Sequence, residues 1–274
     1  MKRWLVTIAF AVTCAVRLGA DVTITMTTTV EGGMAASAGG GLSPTIVTRI
    51  KGNKSRTDVD MGQNSVATLV DLTTKQAIIL QPNQKTAQIL DPAAMTSGAP
   101  ANMPMPKVDT SVKPTGKTRD IDGNKCTEYA VSMRMDMASM AGGRGDMTAD
   151  AAAAMKDLRM TMTGFIWVAK DAPGGAEYQA FQNGASKLMA AALSGGRPGG
   201  MPSGMEQLIT GFGDAPGIPY LTELTMGIEG TGPIVEMMKK MGEMKIISRV
   251  KSISTDPIPD ALLAVPADYK MVKQ

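Results

Sequence analysis

The chain has 274 residues, with 28 Lys and Arg against 25 Asp and Glu, 24 Met, two Cys, two Trp, four Tyr, four Phe and no His. That length fits one large or two small cores. The absence of His excludes Ser-His-Asp and Cys-His nucleophile systems and imidazole metal sites. The N-terminus reads as an export signal: Lys2 and Arg3 form a positive region, residues 5–16 are apolar but too short to span a bilayer, and Leu18-Gly19-Ala20 ends in the small residues of a cleavage site. Cleavage after Ala20 is expected to leave residues 21–274, periplasmic or secreted and without a transmembrane segment. It would remove Lys2, Arg3 and Arg17, leaving 25 basic against 25 acidic groups, so charge makes no case for a nucleic-acid or anionic-membrane partner. Cys14 would leave with the signal, and Ala11-Val12-Thr13 before it is a poor lipoprotein-processing site. Cys126 then lacks an internal partner and is either buried or available for pairing with another chain, burial being the favoured reading.

Period-2 alternation follows, the mark of strands with one covered face. Ile24, Met26, Thr28 and Val30 alternate with threonines. Residues 45–61 are broken by the turn Gly52-Asn53, residues 65–72 and 76–80 form a pair around Thr73-Thr74-Lys75, and Pro82-Asn83-Gln84 turns into residues 86–90. Five or six short strands with tight connections predict an antiparallel meander.

Residues 92–106 are Ala, Met and Pro with almost no charge and read as an exposed loop. A strand over 115–121 turns at Asp122-Gly123-Asn124 into a long strand over 125–137, with Tyr129, Val131, Met133 and Met135 on one face and Cys126, Glu128, Ser132 and Arg134 on the other. Residues 138–146 are a Gly-rich tip, 148–157 a short helix, and 158–168 a strand with Met160, Met162, Ile166 and Val168 on one side. Tyr178, Phe181, Leu188, Met189 and Ala192 give residues 177–193 a helical period. Residues 195–204 read as flexible and 205–212 as a second short helix, while 218–229 alternate through Tyr220, Leu224, Met226 and Ile228. Residues 234–241 fit either helix or strand. The last strand spans 244–255, and 257–269 form a C-terminal coda.

Few motifs carry chemistry. Met103-x-Met105, Met133-x-Met135-x-Met137, Met160-x-Met162 and Met237-Met238 offer soft thioethers for Cu(I), although spacing of two on a strand is simply one face and Met commonly fills adaptable apolar surfaces. Asp120-x-Asp122-Gly123-Asn124 resembles part of a calcium loop, but Val131 stands where the bidentate acid belongs, which favours a hairpin turn. Asp58 and Asp60 share a strand face and read as solvated charges near Arg56 rather than an acid/base pair. Arg144-Gly145-Asp146 is too short a match to weigh. No nucleotide loop or nucleophile elbow occurs, and no cofactor or enzymatic activity is expected.

Several segments together carry a resemblance: the basic hairpin Arg49, Lys51, Lys54, Arg56-Thr57-Asp58; Val70-Asp71-Leu72 leading to Ile78-Ile79-Leu80-Gln81-Pro82; Thr115-Gly116-Lys117 with Gly123-Asn124-Lys125-Cys126-Thr127-Glu128-Tyr129; Ile166-Trp167-Val168-Ala169-Lys170-Asp171; and Val265-Pro266-Ala267-Asp268-Tyr269. In these the chain resembles an uncharacterised family of exported bacterial proteins within the LolA/LolB-like lipoprotein-carrier superfamily. The resemblance implies a single mainly β (α+β) domain over 21–274, a curved antiparallel half-barrel sheet with lid helices on its concave face. Insertions near 93–106, 138–147 and 195–204 depart from the family pattern. It implies a non-enzymatic binder or carrier of a hydrophobic ligand, a lipid or lipoprotein acyl chain, with an envelope protein as a further partner. The residues expected to line the site are Met133, Met135, Met160, Met162, Ile166, Val168, Leu224 and Met226. The same residues would also make an ordinary filled core, in which case the protein is a structural or interaction component of the envelope. A Met-based Cu(I) binder is the second alternative.

Overall fold

The computed structural model describes residues 21–33, 43–62, 64–90, 108–137, 157–194, 215–240 and 242–272. The expected signal at 1–20, the loop holding Met103 and Met105, the Gly-rich segments, the short helices at 148–157 and 205–212 and the Arg144-Gly145-Asp146 tripeptide fall outside these residues, apart from Asp157 itself. At 60% strand and 16% helix the protein is mainly β, and its strands form one open sheet.

In chain order the strands are β1 (Val22–Gly32), β2 (Thr45–Lys51), β3 (Lys54–Asp60), β4 (Ser65–Asp71), β5 (Gln76–Gln81), β6 (Thr86–Leu90), β7 (Val108–Ile121), β8 (Asn124–Asp136), β9 (Arg159–Ala169), β10 (Ile218–Glu229), β11 (Met244–Ser254) and β12 (Lys270–Val272). Helix α1 (Gly175–Ser194) follows β9 and helix α2 (Pro233–Lys240) follows β10. The spatial order is β12-β6-β5-β4-β3-β2-β1-β11-β10-β9-β8-β7. Two meanders, β1 to β6 and β7 to β11, are therefore joined along the antiparallel β1/β11 ladder, and β12 adds in parallel beside β6.

Local chemistry explains most of these elements. The threonines of β1 are β-branched and fit a pleated surface. The β7/β8 connection is a two-residue turn in which Asp122 (φ 51°) and Gly123 (φ 79°) both take the left-handed conformation that matches strand twist. The Asp120-x-Asp122-Gly123-Asn124 stretch is thus the hairpin turn its sequence favours. Residues 234–240, ambiguous in sequence, lie in helix α2, where Glu236 stands in the first turn and Lys239 and Lys240 in the last, complementing the helix dipole.

Two boundaries differ from expectation. Strand β7 starts at Val108 rather than near residue 115, because the ladder to β8 runs on both sides of a register shift between Pro114 and Thr118. On an edge strand such a break is tolerated, since Pro114 loses no inner ladder bond. The C-terminal coda contains a 3-10 turn (Asp260–Leu263) and ends in β12, whose three residues are too few for a periodic signal.

Among the described residues, most of the buried ones form three clusters. The largest joins Val22, Ile24, Ile50, Trp167, Phe181 and Tyr220 with their neighbours and docks α1 through Phe181, Tyr178 and Ala185. α1 lies so close to the sheet at Gly184 that an added Cβ would stand 2.5 Å from Leu72 Cδ1. The second cluster, Ala67, Leu69, Leu80 and Ala87, is covered by Val265 and Tyr269 of the C-terminal segment. The third, Val131, Ile166, Val168 and Ala215, lies on β8 and β9 with Tyr129 and Leu224 packed against it.

Candidate functional site

Residues directly opposite each other in an antiparallel ladder share a face of the sheet. The registers therefore say which side chains stand together across β8 to β11. Met133 pairs with Met162, Met162 with Met226 and Met226 with Met244, a row of four methionines running straight across four strands. One step along the strands Met135, Met160 and Ile228 form a parallel row. On the other side Leu224 and Ile246 are paired, followed by Tyr129 with Ile166, and then by Thr127 with Val168. All eight residues expected to line a site are thus brought to one face of the sheet. Ile166 and Val168 are buried and the other six are half-buried.

At one end of this methionine face, α2 packs on β10, anchored by the fully buried Val235. Beneath it is a half-open cavity of about 520 Å³, lined by Met160, Met226, Ile228, Met238 and Met244. Lys239 and the exposed Glu243 stand at its rim. The Lys239 ammonium donates to Gly230 O at 3.1 Å and to Glu236 Oε1 at 3.2 Å, so its charge is partnered within the protein. Met133, Met135, Met162, Ile166, Val168 and Leu224 share the face but do not line this cavity. Sequence reasoning missed Met238, Met244 and Ile228 as lining residues. Ile228 continues the β10 alternation and carried a readable signal, whereas Met238 and Met244 join the site only through α2 packing and β11 register.

The opposite face is built differently. Arg119 stacks over Trp167 at 4.5 Å and Lys117 over Phe165 at 5.7 Å. Glu128, buried among them, accepts from Thr115 Oγ1 at 2.7 Å and pairs with Lys117 at 3.3 Å. A second hollow of about 650 Å³ on this side is bordered by Phe165, Glu223, Lys245 and Ile247. Charged groups across its mouth make it a poor seat for an apolar chain. Cys126 is fully buried, and its burial pushes the thiol above its ordinary value. The Asp58 carboxylate is held by Arg49 at 2.6 Å and by Arg56, while Asp60 accepts the Gly62 amide, so these two acids do not act as a pair.

Among the described residues, no group of three or more His, Cys, Asp or Glu side chains is placed to hold a metal ion, and no helix is long and apolar enough to cross a membrane. What the methionine face offers chemically is apolar surface and thioether sulfur. The class of protein defined by these observations is a mainly β one whose described residues form an open sheet of twelve strands.

No family model and no curated protein matches the chain. Among solved structures, an uncharacterised conserved protein from Thermus thermophilus aligns over 94% of this chain and 92% of its own at 9% identity, with a TM-score of 0.39.

Proposed function

We propose that the protein is an exported, non-enzymatic binder or carrier of a hydrophobic ligand such as a lipid or lipoprotein acyl chain, its sheet curved as a LolA/LolB-like half-barrel with α1 and α2 as lid helices. The observation that carries this reading is the apolar cavity under α2, formed by the face to which the eight expected residues belong. Its volume falls within the range of small-molecule sites, about 300 to 1,000 Å³. Each methylene moved from water into it contributes about 0.8 kcal/mol, and methionine's unbranched side chain adapts to chains of different shape. Loss of α2 packing would open the mouth for entry and release.

The test is native mass spectrometry of protein purified gently from its own envelope, followed by organic extraction and lipid analysis. A stoichiometric adduct that disappears in Met160→Asp and persists in Thr161→Asn, on the opposite face, is the expected result. A clean apo mass that stays unchanged after incubation with envelope lipids sinks the carrier reading and leaves a structural domain with a filled core.

A further inference from the structure

The cavity under α2 brings together four thioethers from four different elements: Met160 from β9, Met226 from β10, Met238 from α2 and Met244 from β11. Met226 and Met244 are direct cross-strand partners, and such partners have Cβ atoms about 4.5–5.5 Å apart. Met160 lies two residues from Met162, the partner of Met226, so it is the diagonal neighbour of Met226 at about 7–8 Å, within reach of long side chains. Met238 reaches the same space from above. Met160 and Met244 stand two strands and two residues apart, roughly 12 Å between Cβ atoms at ordinary sheet spacing, too far for both sulfurs to reach one ion, whereas the paired Met226 and Met244 with Met238 over them share one space.

We infer that this cavity is a soft-metal site in which Met226, Met238 and Met244 bind Cu(I) through sulfur. Neutral thioethers select soft monovalent ions over hard ones such as Mg²⁺ or Ca²⁺, which require oxygen. No cysteine, and no His in the whole chain, lines the cavity to favour zinc. Glu243 is among the lining residues and supplies a negative charge to the cavity, while the Lys239 ammonium is tied to Gly230 and Glu236. The inference stands apart from the carrier reading, because it uses the sulfur atoms and not the apolar volume around them.

That difference gives the experiment. Leu and Met have nearly the same volume, so their exchange in a core is well tolerated. It keeps the apolar lining and removes the donors. The purified protein would be titrated with Ag(I), a redox-silent stand-in, and anaerobically with Cu(I) against a chromophoric Cu(I) chelator, with bound ions counted by native mass spectrometry.

The wild type is expected to hold one ion, and Met237→Leu, whose side chain is exposed, to hold it equally well. The threefold variant Met226→Leu, Met238→Leu, Met244→Leu is expected to lose at least about 100-fold in affinity, the upper end of what loss of even an outer-shell partner costs, while Met160→Leu is expected to bind as the wild type does. Met238→Leu alone, on a surface helix, is expected to weaken binding at least about tenfold with the fold unchanged by circular dichroism. Binding of no ion by the wild type, or equal binding by wild type and threefold variant, overturns the assignment. Either result leaves lipid binding to be judged by its own adduct.

Discussion

Lys85 shows how much one side chain ties together. It closes the short 3-10 turn before β6 in the left-handed conformation (φ 50°), its carbonyl accepts the Lys270 amide at 2.9 Å, and its ammonium meets Asp268 at 2.9 Å. The hydrogen bond from Lys85 lowers the Asp268 pKa, and the reciprocal bond raises that of Lys85. The signs set a window. A lowered carboxylate contributes stability above its unfolded value of about 3.9 and loses it as pH falls through the folded value, while a raised ammonium contributes below about 10.4 and loses it as pH rises through the folded value. The C-terminal segment is therefore tied most firmly between those limits. Both groups are solvent-exposed, so the effect is confined to docking of β12. In Lys85→Met, an NMR titration should find Asp268 moved up to the usual carboxylate range and the Lys270 amide exchanging faster. An Asp268 titration identical to wild type would refute the pairing.

At the scale of elements, the β9/β10 ladder decides where the methionines meet, and Gly164 lets it close. Gly164 has φ 154°, and a Cβ there would stand 2.0 Å from Glu223 O and 2.9 Å from Leu224 Cα, both backbone atoms of β10. Neither can give way without separating the strands. Gly164→Ala is expected to cost on the order of 3 kcal/mol, combining overpacking with backbone strain, and to lower the denaturation midpoint accordingly. A midpoint within error of wild type would mean that the ladder tolerates the extra carbon. The same ladder shows what was readable from sequence. Strand existence and facing were legible because Met160, Met162, Met226 and Ile228 alternate with polar or small residues, so parity alone fixed their side. Pairing was not legible: nothing in residues 244–246 says that Met244 stands opposite Met226, since register arises from bulges such as that between Pro219 and Leu221 and from contacts distant in sequence. Helix α2 was ambiguous for a related reason, its eight residues being too few to separate a period of 3.6 from one of two.

Across the whole molecule, the two meanders are hydrogen-bonded to each other along β1 and β11, a joint that spans the chain: Thr28 Oγ1 and Ser248 Oγ, 220 residues apart, are 2.8 Å from each other. The outer edges are guarded separately. β7 carries the exposed Lys113, Pro114 and Lys117, and β12 is only three residues long, both devices that discourage pairing with another chain. Cooperativity between the halves therefore passes through this joint and the core cluster that α1 shares with both. Ile24 is the residue to test it with. It is fully buried, and it stands between Thr48 of β2 and Ile253 of β11, so its methyls bridge the two halves. Ile24→Ala should destabilise by about 2–5 kcal/mol, a large share of the roughly 5–15 kcal/mol typical of a domain. If the sheet is one folding unit, the loss appears equally in Trp167 fluorescence, which reports β9, and in hydrogen exchange of the β4 and β5 amides, which lie on the far side of the joint. If β4 and β5 keep wild-type protection while the Trp167 transition shifts, the halves unfold independently and β1/β11 is a contact between two modules. A single shared shift would mean instead that the methionine face is held in shape by residues as remote as Leu69 and Leu80, so that ligand or metal bound there would stabilise the β4 and β5 amides along with its own strands.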